Sequence, residues 1–320
     1  MAKETHIHFN LDGNSYIKSE PSYTTDDNIY SSSKGVLAIA VKQNADNAQN
    51  TLKYTTDGNL WRDASSGGFS YTYVGNSNNA YDVAYGKGLW VAVGHTIPVV
   101  STIQYSSNGS NWFTIATGGF KSWVDVTFFS GIGYSVAYGN GTWVVVGSGN
   151  SGISTIQYSR NGSNWSTIAT GGFNARYGYG VTYGKNLWVA VGNANSAVST
   201  IQYSSNASNW YPVNIGGFNG YYGYKIAYHN GLWLALASSD APAVSSIQYS
   251  SNASNWYSGT NGLVATPSNI SYITRKSLVK QGRKIKTVSK TLWIASGNPT
   301  QYSPDGSNWY NNEFATVTMK

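Results

Sequence analysis

The chain has 320 residues, no cysteine, and only 10% charged residues with a formal net charge of +7. A disulfide framework and a thiolate metal site are therefore excluded. So is a membrane-spanning helix, since no 18-residue apolar run occurs, and the N-terminus shows no apolar export segment.

Residues 1–27 precede the first recognisable unit, although Thr5-His-Ile-His-Phe-Asn-Leu11 alternates with period two and reads as a strand. From there a unit of four strand-like pieces recurs six times, at roughly 28–66, 80–117, 133–170, 178–215, 223–258 and 283–313. The first piece is Tyr81-Asp-Val-Ala-Tyr85 and its copies at Tyr134, Tyr179 and Tyr224, as an inner strand near an axis requires. A short Gly- or Asn-containing turn leads to the second, Leu89-Trp-Val-Ala-Val93, whose continuous apolar run suits a strand buried on both faces. The third piece ends at Tyr105, and the fourth is Trp112-Phe-Thr-Ile-Ala116. Gly-Gly-Phe closes four units, at Phe69, Phe120, Phe173 and Phe218.

Between the third and fourth pieces stands the most regular feature of the chain, Tyr105-Ser-Ser-Asn-Gly-Ser-Asn-Trp112. Its six copies carry Asp57, Asn108, Asn161, Asn206, Asn252 or Asp305, and close on Trp61, Trp112, Trp165, Trp210, Trp256 or Trp309, 51, 53, 45, 46 and 53 residues apart. An Asx side chain accepts hydrogen bonds from the amides just after it, and Gly supplies positive φ, so each copy reads as a hairpin turn held by a structural Trp. A period of this size means stacked supersecondary units. With no helical pattern anywhere, the expected fold is all-β: a six-bladed β-propeller of four-stranded antiparallel blades forming one domain over 1–320. The ends are degenerate. Residues 28–33 align as the first inner strand with Leu37 in place of the repeat Trp, and 284–289 align as the sixth. At least one of the period-two segments 5–11 and 314–319 is expected to pair in the sixth blade and close the ring.

The box turn resembles the Asp-box of sialidase-like β-propellers, with one residue fewer between Asx and Trp and with Asn in four of six copies. The resemblance implies a propeller with its box turns on the periphery, away from the binding face, and implies nothing about activity. Units this alike, rich in Asn, Gly, Ser and Tyr, also resemble repeat proteins of large viruses and phages. That resemblance implies a virion-associated or extracellular-surface protein, delivered without a Sec signal.

Binding is expected opposite the boxes, where the loops differ between copies and carry aromatics. The candidates are Tyr71, Tyr73, Tyr177, Tyr221, Tyr222 and above all Trp123. Of twelve tryptophans, six close boxes and five lie in second strands, so Trp123 is the one the repeat does not require. Such residues suit a protein partner in a larger assembly or a surface glycan.

Catalysis is not expected. A sialidase needs three arginines on the substrate carboxylate and a Tyr assisted by Glu. Here Arg62 and Arg160 fall at box turns, and the three glutamates, Glu4, Glu20 and Glu313, lie near the termini. No cofactor is implied, and His6 and His8 with Asp12 read as an ordinary strand and not a metal site. The net charge is local: Arg275, Lys276, Lys280, Arg283, Lys284, Lys286 and Lys290 hold seven cations and no acid, so the other 304 residues sum to zero. Overall pI thus gives no argument for nucleic acid, which is not expected as a partner; the basic run reads by default as a solvated face, and more sharply as a docking patch on a larger assembly.

Overall fold

The computed structural model describes residues 10–11, 14–19, 36–42, 51–69, 79–95, 101–120, 131–148, 154–173, 177–193, 199–218, 221–238, 245–262, 265–281 and 284–311. They form six antiparallel sheets in chain order, five of four strands and the first of five, each strand hydrogen-bonded to its sequence neighbour. Together with the absence of helix among the described residues, this is the expected six-bladed β-propeller.

The second blade shows the plan: inner strand Asn79–Gly86, second strand Leu89–His95, third strand Ile103–Ser106 and outer strand Phe113–Thr114. The second strand is buried along most of its length, with Trp90, Val91, Ala92 and Val93 at 2% exposure or less, because its neighbouring blades cover both faces. Outer strands are two residues long and exposed in every blade, which leaves little edge for another chain to pair with.

The box turn is a hydrogen-bonded knot. The Asn108 Oδ1 accepts the amides of Ser110 and Asn111 at 3.1 and 2.8 Å, and the Ser106 Oγ accepts that of Gly109 at 2.8 Å. The Trp112 Nε1 donates to the Gly109 carbonyl at 2.9 Å, so the buried indole leaves no polar atom unpaired. Positive φ is needed at the residue after the Asx, and the fourth and fifth boxes meet it with Ala207 (φ 65°) and Ala253 (φ 67°) in place of Gly.

Five of the six boxes also join two blades. The Trp112 amide donates to the Ser66 carbonyl and the Ser65 amide to the Ser110 carbonyl, a short parallel bridge that recurs at the next four junctions. Behind it, the Gln104 side chain makes a two-way clasp on the preceding blade: its Nε2 donates to the Gly68 carbonyl at 2.7 Å and its Oε1 accepts the Gly68 amide at 2.9 Å. Gln157, Gln202 and Gln248 repeat the clasp on Gly119, Gly172 and Gly217. The Phe of each Gly-Gly-Phe is then buried, and Phe69 packs so closely on Gly94 that a Cβ there would meet its ring at 2.4 Å. Gly-Gly-Phe is thus the inter-blade joint.

Both end blades depart from the alignment expected of them. In the first, Asn14–Ser19 is the inner strand, pairing with Ala38–Lys42, while 28–33 lies outside the described residues. Ala38 pairs with Thr55 as Trp90 pairs with Ser106, so Ala38 and not Leu37 stands in the repeat Trp position. In the sixth, the inner strand is Ala265–Gln281 and not 284–289; the latter belongs to the second strand, Lys284–Asn298. Of the segments expected to close the ring, the described part, Asn10–Leu11, lies in the first sheet. There it pairs with Asn14–Ser19, and the sixth sheet draws all four of its described strands from 265–311. The physical reason is that both end blades own an inner strand and need none from elsewhere. Residues 5–9 and 314–319 lie outside the described residues.

Candidate functional site

The inner strands begin at the end of the propeller where the variable loops lie. Four of them open with a bulge, between Ala80 and Asp82, Gly133 and Ser135, Gly178 and Gly180, and Gly223 and Lys225. A bulge inserts one residue that faces no partner and re-aims its side chain. Here that residue is Tyr81, Tyr134, Tyr179 or Tyr224.

The result is an arc of phenol rings across four blades. Ring centroids are 5.4 Å apart for Tyr81 and Tyr134, 5.0 Å for Tyr134 and Tyr179, and 5.9 Å for Tyr179 and Tyr224. Tyr177 stacks on Tyr179 at 5.7 Å, and Tyr222 reaches it at 6.4 Å. The outer rings are open to solvent, Tyr177 at 39% and Tyr222 at 44%. Burial raises the inner phenols, Tyr179 to about 12 and Tyr134 further, with neighbouring phenols adding to the effect. The arc offers ring faces and hydroxyls to a partner.

One residue further along each inner strand lies the wall of the axis. The residues are Asp82, Ser135, Gly180 and Lys225, each paired with the same position of its second strand: Val93, Val146, Val191 and Leu236. Asp82 is well held. Its Oδ2 accepts the Ser135 hydroxyl at 2.8 Å and the Val136 amide at 3.0 Å, and its Oδ1 accepts the Val83 amide at 2.9 Å. Ser135 Oγ in turn accepts the Val181 amide at 3.4 Å, so one polar chain links three blades.

Lys225 stands three blades away from Asp82. Among the described residues its ammonium makes no hydrogen bond; the Tyr224 ring, with its centroid 5.7 Å away, is its aromatic neighbour. Burial pushes the Asp82 carboxyl up despite the Lys225 charge and its hydrogen bonds, and pushes the Lys225 ammonium down despite Asp82. An acceptor and a donor thus face a narrow axis beneath an aromatic rim.

Of the expected site residues, the structure brings Tyr177 and Tyr222 into this arc. Tyr221 is not part of it: its ring packs against the core cluster around Trp233 and Phe218. Tyr71, Tyr73 and Trp123 lie outside the described residues. The axial Asp82 and Lys225 and the bulge tyrosines were missed, because Tyr-x-Val-Ala-Tyr reads first as packing. The available signal was its second position, which runs Asp, Ser, Gly, Lys between constant neighbours. The box residues Asp57, Asn108, Asn161, Asn206, Asn252 and Asp305 all cap their own turns. Five box tryptophans are at most 4% exposed, while Trp61 is half-buried.

Fold and site together define a repeat β-propeller with a tyrosine-rimmed axis. No family model matches the chain, and no match was found among curated proteins. Among solved structures it is similar to one described as YCF48 bound to D1 peptide, at 15% identity and a TM-score of 0.47 over 95% of this chain and 85% of that one. It is also similar to the computationally designed Ika8 protein, at 8% identity and a TM-score of 0.46 over 93% and 82%. A Bombyx mori GH32 β-fructofuranosidase mutant in complex with sucrose follows at 12% identity and 0.31, covering 57% and 48%. Likenesses this distant carry no functional argument, and the fold stands on the strand order above.

Proposed function

We propose that this chain is a non-enzymatic interaction module that docks a protein partner on its tyrosine arc, within a larger assembly such as a virion. The observation that carries the reading is the arc itself. Six phenol rings gather at the variable end of a scaffold that clasps fix blade to blade, and Tyr supplies contact area at low entropy cost. Inventory supports the absence of catalysis. Arg62 and Arg160 sit in or beside box turns, and Arg275 falls in the hairpin that extends from that same end.

The stacked pair Tyr177 and Tyr179 also favours a second reading, a glycan laid on the exposed ring. One experiment separates the two. The parent and a Tyr177→Ser, Tyr222→Ser variant are passed over a glycan array and over the separated proteins of the native particle. Both rings are exposed, so the variant should melt like the parent. It should bind its protein partner about 30-fold more weakly, the loss expected of a roughly 2 kcal/mol hot spot. Undiminished binding by the variant would remove the arc from the interface, and a glycan signal alone would replace the protein reading with the lectin one.

A further inference from the structure

In four blades the inner and second strands are joined by two residues: Lys87-Gly88, Asn140-Gly141, Lys185-Asn186 and Asn230-Gly231. In the sixth the hairpin does not turn there. Ile273 pairs with Leu292 as Gly86 pairs with Leu89, and the ladder then runs on through eight further pairs, from Thr274–Thr291 to Gln281–Lys284. This two-stranded arm extends about 27 Å beyond the turns of its neighbours, at roughly 3.4 Å per residue. It leaves from the box-turn end, opposite the tyrosine arc. Its base is tied to the fifth blade, where the His229 ring stacks on Tyr272 at 3.8 Å and meets Thr274 Oγ1 at 3.1 Å.

The arm holds all seven cations of the basic run and no acid. Register sets how they are distributed. Pairs that alternate along a ladder fall on alternate faces. Arg275 with Lys290, Lys286 and Lys284 therefore share one face, and Lys276 and Lys280 share the other, while Arg283 lies outside the described residues. Arg275 and Lys290 are direct partners, a like-charge pair that destabilises an isolated ribbon.

We propose that this arm binds duplex nucleic acid through its phosphates. Two features favour that partner over an acidic protein. An acidic protein surface would meet one face of the ribbon, whereas a groove presents phosphates on both sides, and the cations occupy both faces. A two-stranded ribbon is also an element that the major groove, about 12 Å wide, admits. Five of the seven cations are lysines, which act on phosphate as point charges, so binding is indifferent to sequence. Phosphate between Arg275 and Lys290 would offset their repulsion.

The test uses the full chain, a four-site variant (Arg275→Gln, Lys284→Gln, Lys286→Gln, Lys290→Gln), and a second variant with residues 274–291 replaced by Asn-Gly. A labelled mixed-sequence 24-base-pair DNA duplex is titrated by fluorescence anisotropy over a salt series. The parent should bind with a log–log salt slope of about −4 to −5, as release of counterions from some five phosphates gives. Both variants should lose at least tenfold in affinity while melting like the parent, because the arm runs past the register at which the other blades turn. Absence of duplex binding at 50 mM salt, or equal binding by both variants, would overturn the proposal. Stronger binding to poly-glutamate, or to vesicles rich in phosphatidylserine, than to the duplex would also overturn it, in favour of an acidic protein or a membrane surface.

Discussion

The two ends of this propeller share one backbone and use it in opposite ways. At the box-turn end the same atoms make the same bonds in blade after blade: Asn108, Asn161, Asn206 and Asn252 each accept two amides, and each following indole donates to its own turn. At the loop end, one register position holds a carboxylate, a hydroxyl, a hydrogen and an ammonium in successive blades. Side chains are fixed where a neighbouring blade must be gripped and free where they face the axis. Hence the repeated bonds of the box turns explain how blades are held together, and the varied loop end is where the proposed partner of the tyrosine arc would be read.

The sharpest way to break that division is at a box indole. Trp165 is 4% exposed, caps its turn through Gly162, and packs in the cluster of Val91, Val93 and Trp143 on two blades. Trp165→Ala should cost about 3–5 kcal/mol in a urea melt, with partner binding by the folded fraction unchanged. A variant that melts normally but fails to bind would move function to the box end.

What could be read in the sequence follows the same division. The box, the alternating inner strands and the apolar second strands were legible because local rules and tertiary packing agree there. The clasp was half legible. Gly-Gly-Phe stood out as punctuation, but its partner is the Gln of the repeated Ile-Gln-Tyr, which only the fold brings to the preceding blade. The end blades were misread for a local reason. Asn14–Ser19 lacks the Tyr-x-Val-Ala-Tyr pattern and is separated from its partner strand by a long connection, and Ala265–Gln281 is a 17-residue strand where the repeat has seven or eight. The axial pair left only the varying second position of the inner strand as a signal, because charge there has meaning once six strands surround an axis.

That pair sharpens the comparison next. Lys225 is an ammonium with no hydrogen-bond partner among the described residues, which is unfavourable for stability and typical of a functional position. Lys225→Met should therefore raise stability by about 1 kcal/mol at pH 7. The pH dependence fixes the cause. Its folded pKa is lowered, chiefly by burial, so the unfolded chain binds the proton more readily. The parent should gain stability as pH rises from that lowered value towards the ordinary lysine range, and the Met variant should lack this gain. A variant less stable than the parent at pH 7 would show instead that the ammonium supports Asp82.

The smallest effect separates the end boxes from the middle ones. Asp57 and Asp305 stand where the other four boxes have Asn. Burial alone would raise the Asp305 carboxyl. The amide and side-chain nitrogen of Asn308, both at 2.8 Å, with Ser307 and Ser303, hold it well below the usual range instead. The amides of Leu60 and Asn59 lower Asp57 in the same way. A carboxyl depressed in the folded state stabilises fully above its unfolded pKa, and that contribution is lost as pH falls through the folded one. Acid should thus loosen the first and sixth boxes and spare the four that carry Asn. Hydrogen exchange at the amides of Ser307 and Asn308 should quicken, relative to Ser163 and Asn164, as pH drops below the ordinary carboxylate range. Because the group is mostly exposed, solvent screening keeps the change under about 1 kcal/mol. Asp305→Asn should abolish the difference while keeping the turn, since an Asn oxygen accepts the same two amides in the middle blades. If the sixth box instead stays as protected as the third throughout the titration, the carboxylate contributes no more than the amide does, and the end blades differ from the middle ones in connection alone.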